Sequence, residues 1–449
     1  MHLPAIFLVG FLPMLLVAFG YRELNSAMPD SGTTFTWATR AFGPYLGWMG
    51  GWGLIAATVV VLSNLAGIAV EFLYLLLAQV FQNPELATLT DDPAINVLTC
   101  LAFMAIATLI SYRDMQTTQK VQYVLVGFQL LVLVLFGVVA FIHVANGSAF
   151  DATPVSLEWF NPFGVGSFSA FAAGLSLSIF IFWGWDVTLT MSEETKGSRS
   201  TPGRAATLTV VIIVVAYLFV SIAAISFAGT GDGALGLGNP DIQENVFFAL
   251  AGPVLGPIAI LMSIAVLSSS AASLQSTAVS PARTLLAMGH YGALPARFAT
   301  VSPRFMTPGY STVVSAVVAS VFYAVMRFIS EDVLWDTITA LGMMICFYYG
   351  ITAFACVWYF RKKWFASVRD TLFTFLFPLV GGVILTVLFF TTLIDSVDPA
   401  YGSGSNVEGI GLVFILGMVI LLSGVAVMLW MRVRMPAFFR GETLPREHA

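Results

Sequence analysis

The chain reads as a succession of apolar runs about twenty residues long, separated by short stretches that hold most of its charge. Leu208 to Ala228 and Ile410 to Trp430 each reach the roughly 18 residues or more that a helix needs to cross a bilayer core. Spans are predicted near 4–21, 45–80, 95–111, 119–144, 168–190, 205–228, 253–283, 309–328, 333–359, 371–393 and 409–431, with 45–80 long enough to bend. That makes an all-α integral membrane protein with about eleven transmembrane helices. Strands are excluded because lipid offers the backbone no outside partner, and the runs lack the period of two that a barrel shows.

Composition strengthens this reading. Of 449 residues, 58% are hydrophobic and 10% charged, where a soluble chain carries roughly a quarter charged. Orientation follows from the cations, which flank the cytoplasmic ends of spans. Alternate loops hold eighteen of the nineteen Lys and Arg, from Arg22 and Arg40 through Arg283 and Lys363 to Arg446. The opposite loops hold Arg327 alone, with acids such as Glu85, Asp151, Asp241, Asp395 and Glu408. The C-terminus is therefore predicted in the cytoplasm of a multi-pass protein of the cell membrane. Glu71 and Asp336 are expected near the outer surface, solvated.

Several classes fall away. A net charge of −5 and a longest basic run of Arg361 to Lys363 give nucleic acid nothing to bind. Cys100, Cys346 and Cys356 lie within spans and have neither disulfide nor metal spacing. His2, His143, His290 and His448 are scattered, and no Gly-x-Ser-x-Gly or His-Glu-x-x-His occurs, so no catalytic group, metal or cofactor is expected and the chain is not read as an enzyme. A channel would need a repeated pore loop or charged rings, which are also missing. These two classes remain the alternatives to transport.

The most informative segment is Phe180-Ile181-Phe182-Trp183-Gly184-Trp185-Asp186, in the fifth span. Glycine weakens a helix, and a carboxylate at mid-membrane is costly unless neutralised or paired. Together they predict a broken helix, whose freed backbone groups can hold the charged ends of a small substrate. The competing reading has Gly184 permitting close packing and Asp186 facing a cytoplasmic vestibule. Ser269, Ser273, Ser276 and Ser280 fall on one helical face, where they either permit tight packing or, with Thr277, line a pathway. Ser63 and Asn64 in the second span could bind substrate or bond to a neighbouring helix.

Four stretches, in order, resemble the amino acid-polyamine-organocation (APC) permeases across nearly the whole chain. They are Tyr21-Arg22-Glu23-Leu24 with Met28-Pro29; Ala41-Phe42-Gly43-Pro44 with Gly47, Gly51 and Trp52; Phe182 to Asp186 with Glu193-Glu194-Thr195-Lys196; and Arg283 to Met288 with Gly292-Ala293-Leu294-Pro295. The resemblance implies two inverted five-helix repeats plus two further helices. It makes 1–145 an incomplete first repeat, 160–360 the second repeat, 371–431 the two additional helices and 432–449 a cytoplasmic tail.

With the fifth span matching the family's sixth helix, the family's first helix is unaccounted for. A start placed too far downstream, a real truncation and an inactive relative are the three explanations, and the first is favoured. The reading frame ahead of Met1 is then expected to encode about twenty apolar residues interrupted by a Gly-rich pair.

By the same resemblance, Phe182, Trp183 and Gly184 expose backbone to the substrate, Phe180 gates the pocket, and Asp186 is the acidic group nearby, where a proton could couple transport to pH. From their positions in the spans, Asn64, Ser273, Ser276 and Thr277 join the candidate substrate-binding set, and the last three line either the pathway or, by the resemblance, the place where sodium binds in related transporters. Gln129 stands where many proton-coupled members have lysine, which leaves H+, Na+ and exchange open as the driving process. Tyr348 and Tyr349 resemble the family's paired aromatics and are read as packing. The implied function is secondary transport of an amino acid or related amine or polyamine through the lipid bilayer.

Overall fold

Ten helices among the described residues are long and apolar enough to cross a membrane, and the interrupted segment 168–190 supplies the eleventh expected span. They come from a computed structural model that describes residues 2–113, 115–166, 168–329 and 332–447, so that His448 lies outside it. In chain order the helices are α1 (Leu3–Ala27), α2 (Thr34–Phe42), α3 (Pro44–Phe81), α4 (Pro93–Arg113), α5 (Met115–Ala145), α6 (Phe168–Ile181), α7 (Val187–Thr190), α8 (Thr201–Ala228) and α9 (Val246–Leu255). They continue as α10 (Ile260–Thr277), α11 (Val279–His290), α12 (Gly309–Ile329), α13 (Asp332–Tyr359), α14 (Val368–Asp370), α15 (Phe377–Asp395), α16 (Leu412–Arg434) and α17 (Pro436–Phe439). The strands among the described residues are a two-residue antiparallel pair, β1 (Asn406–Val407) and β2 (Ile410–Gly411).

Proline and glycine set the boundaries. Pro44 and Pro202 open α3 and α8, where a missing N–H costs nothing. α3 is a single helix of 38 residues, about 57 Å long at 1.5 Å per residue, so it exceeds the hydrocarbon core by a wide margin. The span expected at 253–283 is divided. Gly256, at φ +58, with Pro257 behind it stops α9, and Pro281, which has no amide to give the Thr277 carbonyl, coincides with the step at Ala278 between α10 and α11.

α13 is the centre of the bundle. It packs against α15, α3, α2, α16, α1 and α6, and of the long helices it is the most deeply buried. The main apolar cluster joins α1, α3, α6, α8, α13 and α15 through Met14, Leu54, Ile179, Phe182, Val210, Met343 and Leu385.

At the end of the bundle where the cations gather, buried or half-buried ion pairs tie the helices together. Arg369 reaches Glu23 at 2.7 Å, Arg40 pairs with Glu447, and Arg283 makes two bonds to Glu194 at 2.6 and 2.7 Å. Arg283 is 2% exposed, so losing its partner leaves a buried charge. Glu194→Gln should cost about 1.5–3 kcal/mol, the worth of a hydrogen bond to a charged group, and lower the melting temperature of the detergent-purified protein. An unchanged melting temperature would mean that water already serves Arg283.

At the opposite end, Arg327 donates to the Thr90 carbonyl at 3.0 Å, and Tyr323 donates to Asn96. The expectation that Asp336 is solvated fails: it is 1% exposed and accepts from the Ser403 amide at 2.8 Å and hydroxyl at 2.7 Å. Glu71, also expected in water, is half-buried and accepts from Asn245 Nδ2 at 2.6 Å. In both cases the partner comes from a connecting segment far away in the chain, which sequence spacing does not reveal.

Candidate substrate site at the interrupted helix

α6 ends at Ile181 and helical structure resumes only at Val187. Gly184 has φ +100, a backbone conformation that side-chain-bearing residues avoid, and a Cβ placed there would meet no atom within 4 Å. The turn is held by two bonds, Trp183 N to the Phe180 carbonyl at 2.9 Å and Val187 N to the Gly184 carbonyl at 3.2 Å. Among the described residues, the amides of Gly184 and Trp185 find no backbone acceptor, and the carbonyls of Phe182 and Trp183 no backbone donor. Backbone groups of both signs are thus unpaired beside open space in the middle of an apolar bundle. An unpaired backbone group away from water is costly, so such a cluster is where a small zwitterion gains most by binding.

Asp186 is 2% exposed and is not left bare. Tyr349 donates to Oδ1 at 2.9 Å and Tyr348 to Oδ2 at 3.2 Å, while Trp183 Nε1 donates to the Tyr348 hydroxyl at 2.5 Å. The carboxylate therefore fastens the interruption to α13. Tyr21 of α1 stands edge-on to Trp185 and Tyr349, with ring centroids 4.9 and 5.5 Å away. Its hydroxyl continues into a polar ladder, 3.0 Å from Thr34 Oγ1, which lies 2.7 Å from Thr352 Oγ1. Trp185 Nε1 is buried with no partner among the described residues.

The sequence-derived set divides in two. Trp183, Gly184 and Asp186 come together in the turn, with Phe180 half-buried against the main core beside them. Phe182 contributes backbone only, since its ring is fully buried between Phe11 and Tyr217, at 6.0 and 5.7 Å. Asn64, Ser273, Ser276 and Thr277 belong to the α3–α10 packing, and no hydrogen bond among the described residues links them to Asp186. Ser276 donates within its own helix to the Ser273 carbonyl at 3.2 Å, whereas Asn64 Nδ2 is buried with no partner among the described residues. Gln129 likewise has a buried Oε1 with no partner among the described residues.

Tyr348 and Tyr349, expected only to pack, are the direct partners of the carboxylate. The signal available in sequence was Thr352, one turn after Tyr348, which puts two hydroxyls on one face of α13.

The family described as "Amino acid permease" matches residues 2–433, essentially the whole bundle. The chain belongs to that family. A curated relative, "Branched-chain amino acid permease BcaP" of Lactococcus lactis subsp. cremoris (strain MG1363), is 26% identical over 187 residues. That match covers 39% of this chain and 37% of the relative, so the chain spans well under half the length of the curated permease it matches.

Proposed function

We propose that this chain is a secondary transporter that moves a neutral amino acid across the cell membrane, with the interruption at Phe182 to Asp186 as its substrate site. The observation that carries this reading is the unpaired backbone beside the open space at Gly184, in a member of the amino acid permease family. A zwitterion's carboxylate suits the free amides of Gly184 and Trp185, and its ammonium suits the free carbonyls of Phe182 and Trp183. Phe180 covers the site, and Asn64, Ser273, Ser276 and Thr277 act from the α3–α10 side.

A neutral side chain is favoured over an amine or polyamine because Asp186 is 2% exposed with a tyrosine hydroxyl on each oxygen, so a second cation would have to displace Tyr348 or Tyr349 to reach it. The partial match to a branched-chain amino acid permease supports the same class. A proton gradient, a sodium gradient and exchange are the candidate driving processes. A proton arriving at Asp186 would turn one acceptor oxygen into a donor, so the tyrosine on that oxygen would have to reverse its hydroxyl or let go, and the bonds that fasten the turn to α13 would lose their charge assistance.

The same reading makes 1–145 and 160–360 the two repeats, 371–431 the added pair of helices and 432–449 a cytoplasmic tail. The ion pairs at Arg22, Arg283 and Arg369 on the cation-rich end, against Arg327 alone among the acidic loops, support that orientation. The test is uptake of labelled leucine, lysine and putrescine into proteoliposomes, with and without proton and sodium ionophores. Leucine uptake that neither lysine nor putrescine inhibits is expected; putrescine uptake without leucine uptake would overturn the neutral-substrate reading.

A further inference from the structure

α2 is a nine-residue helix in the connection between two spans, yet Thr34 to Thr39 and Ala41 are all buried. Connecting segments normally run over the surface, so α2 needs a cover. Part of that cover is the segment after α16. Residues 435–447 fold back over the cation-rich end, where the Phe438 ring stacks on Phe35 of α2 at 5.5 Å and Phe439 packs against Tyr45 and Trp48 of α3 at 5.5 and 5.8 Å. Leu444 joins the same apolar cluster, and Phe438 and Leu444 are 0% and 2% exposed. Further on, the Glu447 amide donates to the Arg40 carbonyl at 3.0 Å and the Glu447 carboxylate pairs with the Arg40 guanidinium, in the last turn of α2.

The Arg40–Glu447 pair is partly exposed and worth little by itself, so the buried side chains carry the hold and the pair sets the register.

What α2 does next to Phe35 gives that hold a consequence. The hydroxyl of Thr34 is the middle rung of the ladder that joins Tyr21 to Thr352. Trp37 stands edge-on to the Tyr21 ring with centroids 5.4 Å apart. Tyr21 in turn walls the interruption through Trp185 and Tyr349. A segment that only shielded apolar surface would have no such route to the site.

We propose that residues 435–447 are a latch that seats α2 against the substrate site, with Phe438 and Leu444 as positioning residues for Tyr21 and so for the turn at Gly184. With the latch lifted, α2 shifts, Tyr21 loses the Thr34 hydroxyl and the Trp37 ring, and part of the population adopts arrangements that do not bind. Apparent affinity then falls with the seated fraction, whereas the rate from the seated state stays the same. The effect on transport rests on the function proposed above; the hold on α2 and on the turn can be measured without any substrate.

The experiment compares wild type, Phe438→Ala, Phe438→Leu and Leu444→Ala in lipid nanodiscs by amide hydrogen exchange, and in proteoliposomes by labelled-leucine uptake. Phe438→Ala should speed exchange across both 34–42 and 180–190 by roughly three- to tenfold, as local opening of a seated segment does, and leave α4 and α12 unchanged. Leu444→Ala, a smaller deletion from the same cluster, should show the same pattern and serves if Phe438→Ala does not insert. Phe438→Leu refills the space and should restore most of the protection. The KM for leucine should rise roughly three- to tenfold in Phe438→Ala, with kcat within about twofold of wild type. Faster exchange at 34–42 without any at 180–190 would overturn the latch, and so would no change in either segment or an equal acceleration in α4 and α12. Faster exchange in both segments with an unchanged KM, or with no leucine uptake by any of the proteins, wild type included, would uphold the latch and reject the proposed site or the transport reading respectively.

Discussion

Asp186→Asn should flatten the pH dependence of uptake and reduce its rate by roughly ten- to a hundredfold, while the protein still folds and reaches the membrane. Asparagine keeps one acceptor for the hydroxyls of Tyr348 and Tyr349, but offers an N–H₂ where the second carboxylate oxygen stood. One buried tyrosine O–H then faces a donor instead of an acceptor, a loss of about 1–3 kcal/mol for an unsatisfied buried group. The substitution is also permanently neutral, so no proton can come and go there. Rates measured from pH 5 to pH 8 in oriented vesicles check this. A mutant that keeps the wild-type rate and pH profile would remove Asp186 from both the coupling and the positioning of the turn.

Gly184→Leu should weaken substrate binding at least tenfold, more than any single serine-to-alanine change on α10. Leucine at φ +100 costs about 1–3 kcal/mol of backbone strain, and its side chain fills the open space beside the free amides. Ser273→Ala and Ser276→Ala should be mild by comparison, because the Ser276 hydroxyl is satisfied within its own helix. Binding by microscale thermophoresis separates the cases. Equal affinities for Gly184→Leu and wild type would mean that the substrate does not use this turn.

Much of this architecture is written locally in the chain. Hydrophobic run length gives the spans, because lipid imposes one requirement on every crossing segment. The interruption was equally legible, since glycine and aspartate are both out of place in an apolar helix and lie two residues apart. What surrounds them was not. Tyr348 and Tyr349 are separated from Asp186 by 162 and 163 residues, and an aromatic pair on a buried helix looks the same whether it packs or donates.

Asp336 was misread for the same reason. A carboxylate near the end of a span is normally wet, and only the return of Gly402 and Ser403 from the next connection covers it. The serines of α10 were legible only as a face. Which neighbour that face serves is a property of packing, and α10 as a whole packs against α3, α4 and α5.

The claim at the centre is that a neutral amino acid binds at Gly184 and is carried across the bilayer. Counterflow tests it most directly, since it needs no knowledge of the driving ion: proteoliposomes loaded with unlabelled leucine are diluted into a trace of labelled leucine. Wild type should accumulate label transiently and saturably, Gly184→Leu should not, and Ser276→Ala should behave as wild type. Accumulation by Gly184→Leu equal to wild type would contradict the assignment of the site, and its absence from every protein while putrescine exchanges would contradict the assignment of the substrate.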